Sequence, residues 1–321
     1  MIYDDILSGI LEIEGLGKLT NSKPNIIRKQ RDYIESLKPF ARDVWGSYQS
    51  QDVSTNYLSK ESQNCYLLRY FIPYSNLLRL ELDNLKIDEE VNVFGNNTKR
   101  IKIESIHASF FGPGPAPEIL GLMEHLSNCH SPSIENLQIN LFDINSSTWE
   151  HSVNLIKKFV IAKRSKKLSI NSYKSDFSSS RFWTKSKQNK INKSNLIVFQ
   201  NCLNEINDDS KRALVIKNIG YIIFSMPKNS VIVFIDQSMN KYDSTDEILD
   251  AIEMNASNKK KDLKVLQSRK DKEFSCRKIN NSMPELINHF LFYTGQIRSQ
   301  DAKGLTLRSI VYYSSLVIQR Q

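Results

Sequence analysis

The feature that most constrains this chain is the stretch Ile101–Leu122, IKIESIHASFFGPGPAPEILGL. Ile101, Ile103, Ile106, Ala108, Phe110 and Phe111 form a short apolar run of strand type. It stops at Gly112-Pro113-Gly114-Pro115-Ala116-Pro117-Glu118 and resumes with helical spacing at Ile119, Leu120, Leu122 and Met123. The sequence therefore predicts strand, tight turn, helix. In a doubly wound α/β sheet the first such turn lies where a ligand binds, because glycines let the backbone approach closely and the helix N-terminus points at what is bound. A pyrophosphate cradle needs backbone N–H donors, and Pro113, Pro115 and Pro117 have none. Dinucleotides and nucleoside triphosphates are thereby disfavoured, which leaves a ligand needing close approach and little anion coordination.

Downstream, strand and helix patterns alternate. Leu137–Asp143, Lys167–Tyr173, Asn195–Gln200 and Ser230–Asp236 read as strands, with helices over Trp149–Ile161 and about Asp208–Phe224. Two late strands are expected at His289–Gln296 and Leu305–Ile318. Their connection of about eight residues is too short for a helical crossover and suits an antiparallel pair. Residues 1–90 read as helical: one helix from Asp4 or Asp5 to the Gly15/Gly17 pair, one from Pro24 to just before Pro39, one over Phe40–Tyr48. In Cys65–Tyr74, CYLLRYFIPY, Pro73 is expected to kink or break a helix, and Tyr66, Tyr70 and Tyr74 recur as core aromatics or an interdomain seam. The expected organisation is a helical N-terminal domain, 1–90, followed by an α/β domain, 91–321.

The run Gly112-Pro-Gly114-Pro-Ala-Pro-Glu118-Ile-Leu-Gly121-Leu resembles the first motif of class I, Rossmann-like S-adenosyl-L-methionine (SAM)-dependent methyltransferases, in the variant G-x-G-P-G-P-E, here G-x-G-P-x-P-E. The family usually has an acid two places before the first glycine, where this chain has Phe110, and a glycine where it has Ala116. A Y-L-x-R-Y-x-P-x-Y stretch similar to Tyr66–Tyr74 precedes the motif in some methyltransferase-like proteins. The resemblance implies an α/β, Rossmann-like seven-stranded methyltransferase sheet, parallel with an antiparallel terminal hairpin. It also implies SAM as cofactor, approached by Phe111, Gly112, Pro113 and Gly114.

Asp143 ends the second strand, where a carboxylate can accept two hydroxyl hydrogen bonds from a ribose, and Ile144 can lie against adenine. The alternative for Asp143 is a helix N-cap. Asp176 and Phe177 follow the third strand; in the family an acid there accepts from the adenine amino group and an apolar side chain covers the ring. A solvated loop acid is the competing reading. Gln200, Asn201, Asn204 and Glu205 follow the fourth strand, in the place of the family's fourth motif, which lines the methyl-transfer cleft. Glu205 can act as a general base and Asn201 or Asn204 can orient a nucleophile, although Asn204 can equally cap the next helix. Cys202 reads as a packed cysteine.

The net charge of the 321-residue chain is +9, and the basic character is concentrated. Lys157–Lys193 holds twelve cations and one acid, interleaved with Phe177, Phe182 and Trp183, a mixture that binds phosphates and stacks on bases. Lys259–Lys278 holds nine cations and three acids and reads as a second basic insertion. RNA is the partner these stretches suggest; lysine-rich solvated loops are the alternative. The four cysteines lack CxxC or Cys/His spacing, so neither a disulfide framework nor a zinc site is expected. No apolar run reaches about 18 residues, and acids occupy the N-terminal positions where a secretory signal needs cations; a cytoplasmic setting without a membrane span is expected. The function expected is SAM-dependent methyl transfer, with RNA or a ribonucleoprotein first among acceptors. The alternative is a non-catalytic scaffold or RNA-binding assembly protein on the same fold.

Overall fold

The computed structural model describes residues 2–20, 23–47, 57–88, 105–128, 136–163, 168–206, 208–238, 243–259, 261–293 and 304–321. Ile101, Ile103, Cys129, the loop after Asn128 and the expected strand end at 294–296 lie outside them. In chain order the elements are α1 (Ile2–Ile13), α2 (Pro24–Ser36), α3 (Lys38–Ser47), α4 (Lys60–Tyr66), a π-helical turn (Leu67–Phe71), α5 (Ile72–Asp88), β1 (Ser105–Phe111), α6 (Pro117–Asn128) and β2 (Asn136–Asp143). Then follow α7 (Glu150–Leu155) with a second π turn (Ile156–Ile161), β3 (Leu168–Lys174), α8 (Lys185–Ile191), β4 (Leu196–Gln200), α9 (Asp209–Ser225), β5 (Val231–Gln237), α10 (Asp243–Ser257), β6 (Leu263–Ser275), α11 (Arg277–Asn280), α12 (Glu285–Phe290) and β7 (Ile310–Arg320).

The chain divides into two compact units that do not follow a cut at residue 90. The first comprises Met1–Tyr74, Ser147–Lys166 and Phe274–Val311; the second comprises Ser75–Ser146, Lys167–Glu273 and Tyr312–Gln321. Helical segments from mid-chain and the C-terminal third complete the first unit. Gln63 joins two of its parts: its amide nitrogen donates to Tyr57 and Thr148 carbonyls at 2.8 and 2.7 Å, and its oxygen accepts from Ser152 N and Oγ. Tyr66, Tyr70 and Tyr74 are buried, with Tyr70 and Tyr74 stacked at 5.7 Å. Pro73 does not break its helix. The π turn immediately before it absorbs the lost N–H and the ring's bulk, a usual site for such a bulge.

The second unit is built on a sheet of order β3-β2-β1-β4-β5-β7-β6. β1 to β5 pair in parallel, and β7 runs antiparallel to β5. This is the seven-stranded α/β sheet expected from the sequence, parallel over β1 to β5 and antiparallel at β7. Aromatic residues fall in register across five strands: Tyr173, Phe142, Phe111, Phe199 and Phe234 stack at successive ring distances of 5.4, 4.9, 4.6 and 5.2 Å. Each such pair contributes about 0.5–1.5 kcal/mol beyond its buried area. On the other side of β1, α6 approaches α5 so closely that a Cβ on Gly121 would stand 2.3 Å from the Ser75 carbonyl oxygen.

The terminal pair differs from the expected hairpin. His289 and Phe290 close helix α12, started by Pro284 and Glu285, and among the described residues beyond it Tyr293 makes an isolated bridge to Thr306. The strand beside β7 is Leu263–Ser275, which the sequence presents as a basic insertion. Its misreading has a physical cause. β6 is an edge strand, buried mainly at Leu263, Leu266 and Gln267, and its remainder is charged and exposed, as edges that must not recruit another chain are. Glu81 of α5 secures this edge by accepting from Tyr313 and Ser315 hydroxyls at 2.8 and 2.9 Å and from Gln267.

Candidate functional site

Strand order reverses between β1 and β4, and the turns leaving their C-terminal ends face each other. In open α/β sheets this is the crevice where ligands bind. After β1 the backbone turns through left-handed conformations at Gly112, Gly114 and Ala116, with φ of 61°, 55° and 60°. Ala116 thus keeps the geometry of the glycine it replaces, at a steric cost of about 1–2 kcal/mol. After β4, Asn201 is also left-handed, with φ of 53°. The two turns touch: a Cβ on Gly112 would lie 2.6 Å from the Cys202 Cβ, and the Cys202 thiol donates to the Phe111 carbonyl at 3.4 Å.

Each turn is held by a carboxylate at the end of the neighbouring outer strand. Asp143, ending β2, accepts from Gly114 N at 3.0 Å and from Asn145 N at 2.6 Å. Asp236, near the end of β5, accepts through Oδ2 from Cys202, Leu203 and Asn204 N–H groups at 3.0, 2.7 and 3.3 Å, and through Oδ1 from its neighbour Gln237. Burial nevertheless pushes the Asp236 carboxyl up to about 7, and raises that of Asp143. Glu118, in the first turn of α6, is buried with Oε2 lacking any partner; burial, with Asp143 adding repulsion, lifts it well above the carboxylate range. Glu205, in the turn after β4, is open to solvent. The Cys202 thiol is driven far up by burial and then by the charges of Asp236, Glu205, Glu118 and Asp143, which removes it as a nucleophile.

Phe111 presents only its backbone here, its ring being locked in the aromatic row. Gly112, Pro113, Gly114 and Asp143 come together at one strand end, with Gln200 buried at the end of adjacent β4. Ile144 is 51% exposed beside Asp143. Asp176 accepts from Ser178 N and Oγ at 2.8 and 2.6 Å, and Phe177 meets Phe199 edge-on at 5.5 Å while standing 3.7 Å from the position of a Gly112 Cβ. Asn201 and Asn204 each have a buried side-chain oxygen without a partner. Neither Asp143 nor Asn204 caps a helix; the cap of α9 is Asp208, which accepts from Ser210 and Lys211 N–H groups. Sequence reasoning missed Glu118 and Asp236 as site residues. The first stands inside the quoted motif, and the second ends its strand as Asp143 does.

The described cations of the basic stretches are partly engaged. Lys163 pairs with Asp5, Lys270 with Asp250, and Lys187 and Lys190 lie over the rings of Phe182 and Tyr173 at 4.8 and 4.6 Å. Trp183 is partly exposed and lies 5.9 Å from the ring of Tyr221, itself 45% exposed, with Lys217 over that ring. Among the described residues no His/Cys/Asp/Glu group has metal-holding geometry, and no helix is long and apolar enough to cross a membrane.

No family model matches the chain, and no curated protein matches it in sequence. Among solved structures it is similar to a loganic acid methyltransferase with SAH, at 11% identity over 84% of this chain and 98% of that one, TM-score 0.41. It is also similar to the StiE O-MT, at 12% identity over 89% and 90%, TM-score 0.38. A third is a putative rRNA-methylase from Clostridium thermocellum, at 10% identity over 69% and 93%, TM-score 0.37.

Proposed function

We propose that this chain is a SAM-dependent methyltransferase whose cofactor lies in the β1–β4 crevice. The observation that carries this reading is the ring of carboxyl groups, Glu118, Asp143, Glu205 and Asp236, at a switch point opened by a glycine-proline turn. Carboxyl groups that ionise late suit a ligand bearing positive charge, which favours their ionised form. SAM carries a sulfonium, an amino group and a ribose diol, and when bound it supplies an electrophilic methyl group. Asp143 uses one lone pair on each oxygen for backbone donors and keeps the others for the diol. Glu118 offers, from the helix side, the carboxyl that Phe110 fails to provide from the strand. The unpartnered oxygens of Asn201 and Asn204 are acceptors for an ammonium or for the acceptor substrate, and Glu205, exposed in the same turn, is the candidate base. Asp143→Ala is expected to weaken SAM binding by about 1–3 kcal/mol, the scale of one lost charge-assisted hydrogen bond. Unchanged affinity in calorimetry would remove Asp143 from the cofactor site.

For the acceptor we favour RNA, supported by the partly exposed Trp183–Tyr221 pair with Lys217 beside it. Trp183→Ala should cost about 1–3 kcal/mol toward single-stranded RNA without altering the salt slope, because stacking releases no counterions. Fluorescence anisotropy at several salt concentrations measures both quantities. Full retention of RNA affinity would favour a small-molecule or protein acceptor.

A further inference from the structure

Helix α9 starts beyond the turn that follows β4 and delivers the chain to the start of β5, which runs parallel to β4. Its last turn therefore lies at the opposite end of the sheet from the glycine-proline turn, and from Asp209 to Phe224 its axis covers about 22 Å. The two ends differ in charge. Near the start, Arg212 is paired with Asp209 and Glu247. Beyond it the sequence has no acid before Asp236, and Lys217, Tyr221, Phe224 and Lys228 are exposed. Lys259 stands over the Phe224 ring at 4.1 Å, as Lys217 stands over Tyr221 at 5.9 Å; one acid, Asp262, shares the turn with Lys259. The last carbonyls of a helix carry partial negative charge, which repels phosphates. Here Arg320, near the end of β7, donates to the carbonyls of Phe224 and Met226 and covers that end with a cation. Tyr221 and Phe224 are one helical turn apart, and Trp183 lies 5.9 Å from Tyr221, so three rings form a row.

We propose that single-stranded RNA is anchored on this row from Trp183 to Phe224, with its phosphates on Lys217, Lys228 and Lys259, at a distance from the crevice assigned to the cofactor. The anchor rests on RNA being the acceptor and adds where the strand lies and how long it must be. Exposed rings stack on bases that are unpaired, whereas a duplex presents only phosphates and base edges. All these residues belong to the second unit, as does the crevice. A stacked strand advances about 3.4 Å per nucleotide, so about six nucleotides separate a base on Phe224 from one at the start of α9. A shorter oligonucleotide cannot occupy both places.

The test measures fluorescence anisotropy of the full-length chain with labelled oligouridylates of about 4 and about 16 nucleotides, an RNA duplex and polyglutamate, at several salt concentrations. The longer oligouridylate should bind at least about tenfold more tightly than the shorter. Phe224→Ala should weaken it at least about fivefold at an unchanged salt slope, and leave the duplex and polyglutamate as they were. Lys259→Gln, which keeps the ring, should reduce the slope by about 0.7, the share of one phosphate contact on a single strand. Calorimetric affinity for SAM should be the same in both variants. The anchor is overturned if Phe224→Ala, still melting cooperatively, binds the longer oligouridylate as the wild type does or loses polyglutamate equally. It is also overturned if Lys259→Gln leaves the slope unaltered, which holds as a test even should Phe224→Ala fail to fold. If Trp183→Ala weakens the RNA and neither of these variants does, RNA remains the acceptor and the row falls; if the folded wild type binds no oligouridylate, both fall.

Discussion

Gly112→Ala is expected to destabilise the second unit by several kcal/mol and to abolish cofactor binding. Two costs combine. The residue sits at φ of 61°, where a Cβ costs about 1–2 kcal/mol. The added methyl would also lie 2.6 Å from the Cys202 Cβ and 3.3 Å from its sulfur, an overlap that separates the turns at the cost of about 1–3 kcal/mol more. The two are separable. In a Cys202→Gly background the overlap disappears, and Gly112→Ala should cost only the backbone term, giving a coupling of about 1–3 kcal/mol in a double-mutant cycle. Denaturant unfolding of the four proteins measures it. Additive losses would mean that the turns after β1 and β4 do not meet as described.

Asp236→Ala should be comparably severe. Its carboxylate is the common acceptor for three N–H groups of the turn after β4, and its removal leaves buried donors unsatisfied at about 1–3 kcal/mol each, roughly 3–6 kcal/mol in total after relaxation. The pH dependence supplies an independent signature. Since the folded-state pKa, about 7, lies above the ordinary value near 4, the folded chain holds a proton that the unfolded chain has released. The stability contributed by this proton is present at low pH and is lost as pH rises from about 4 to about 7. Asp236→Asn, which keeps an acceptor and cannot ionise, should be milder than Asp236→Ala and should flatten that decline. If the alanine variant unfolds at the wild-type denaturant midpoint, the turn is held by other means.

Much of this was legible in the sequence because the parallel strands are buried on both faces and spell continuous apolar runs, as in Leu137–Asp143 and Ser230–Asp236. The glycine-proline turn marked the ligand end, and Asp143 could be placed by its position at a strand terminus. What escaped was decided by tertiary environment. β6 lies at the sheet edge and carries a charged sequence, so it resembled an insertion, while the aromatic run from His289 resembled a strand and instead closes the helix started by Pro284, with a single bridge at Tyr293. Glu118 gives no local sign that its carboxyl is buried without a partner. Nor can periodicity show that Asp236 reaches across to the next turn. The π turn that accommodates Pro73 is likewise a product of packing.

The most direct measurement is calorimetric titration of the folded chain with SAM and with S-adenosylhomocysteine between about pH 6 and 9, in buffers of different ionisation enthalpy. Only SAM carries the sulfonium, which also lowers the pKa of its own amino group relative to S-adenosylhomocysteine, so the titration of each free ligand is measured and subtracted. A cation among carboxyl groups that ionise late must drive protons off them. We expect SAM to bind with proton release near pH 7 and with affinity that rises with pH and levels off above about 8, while S-adenosylhomocysteine shows a smaller change. No heat with either ligand in folded protein would contradict the cofactor assignment, and identical pH profiles for the two would contradict the role of the carboxyl ring.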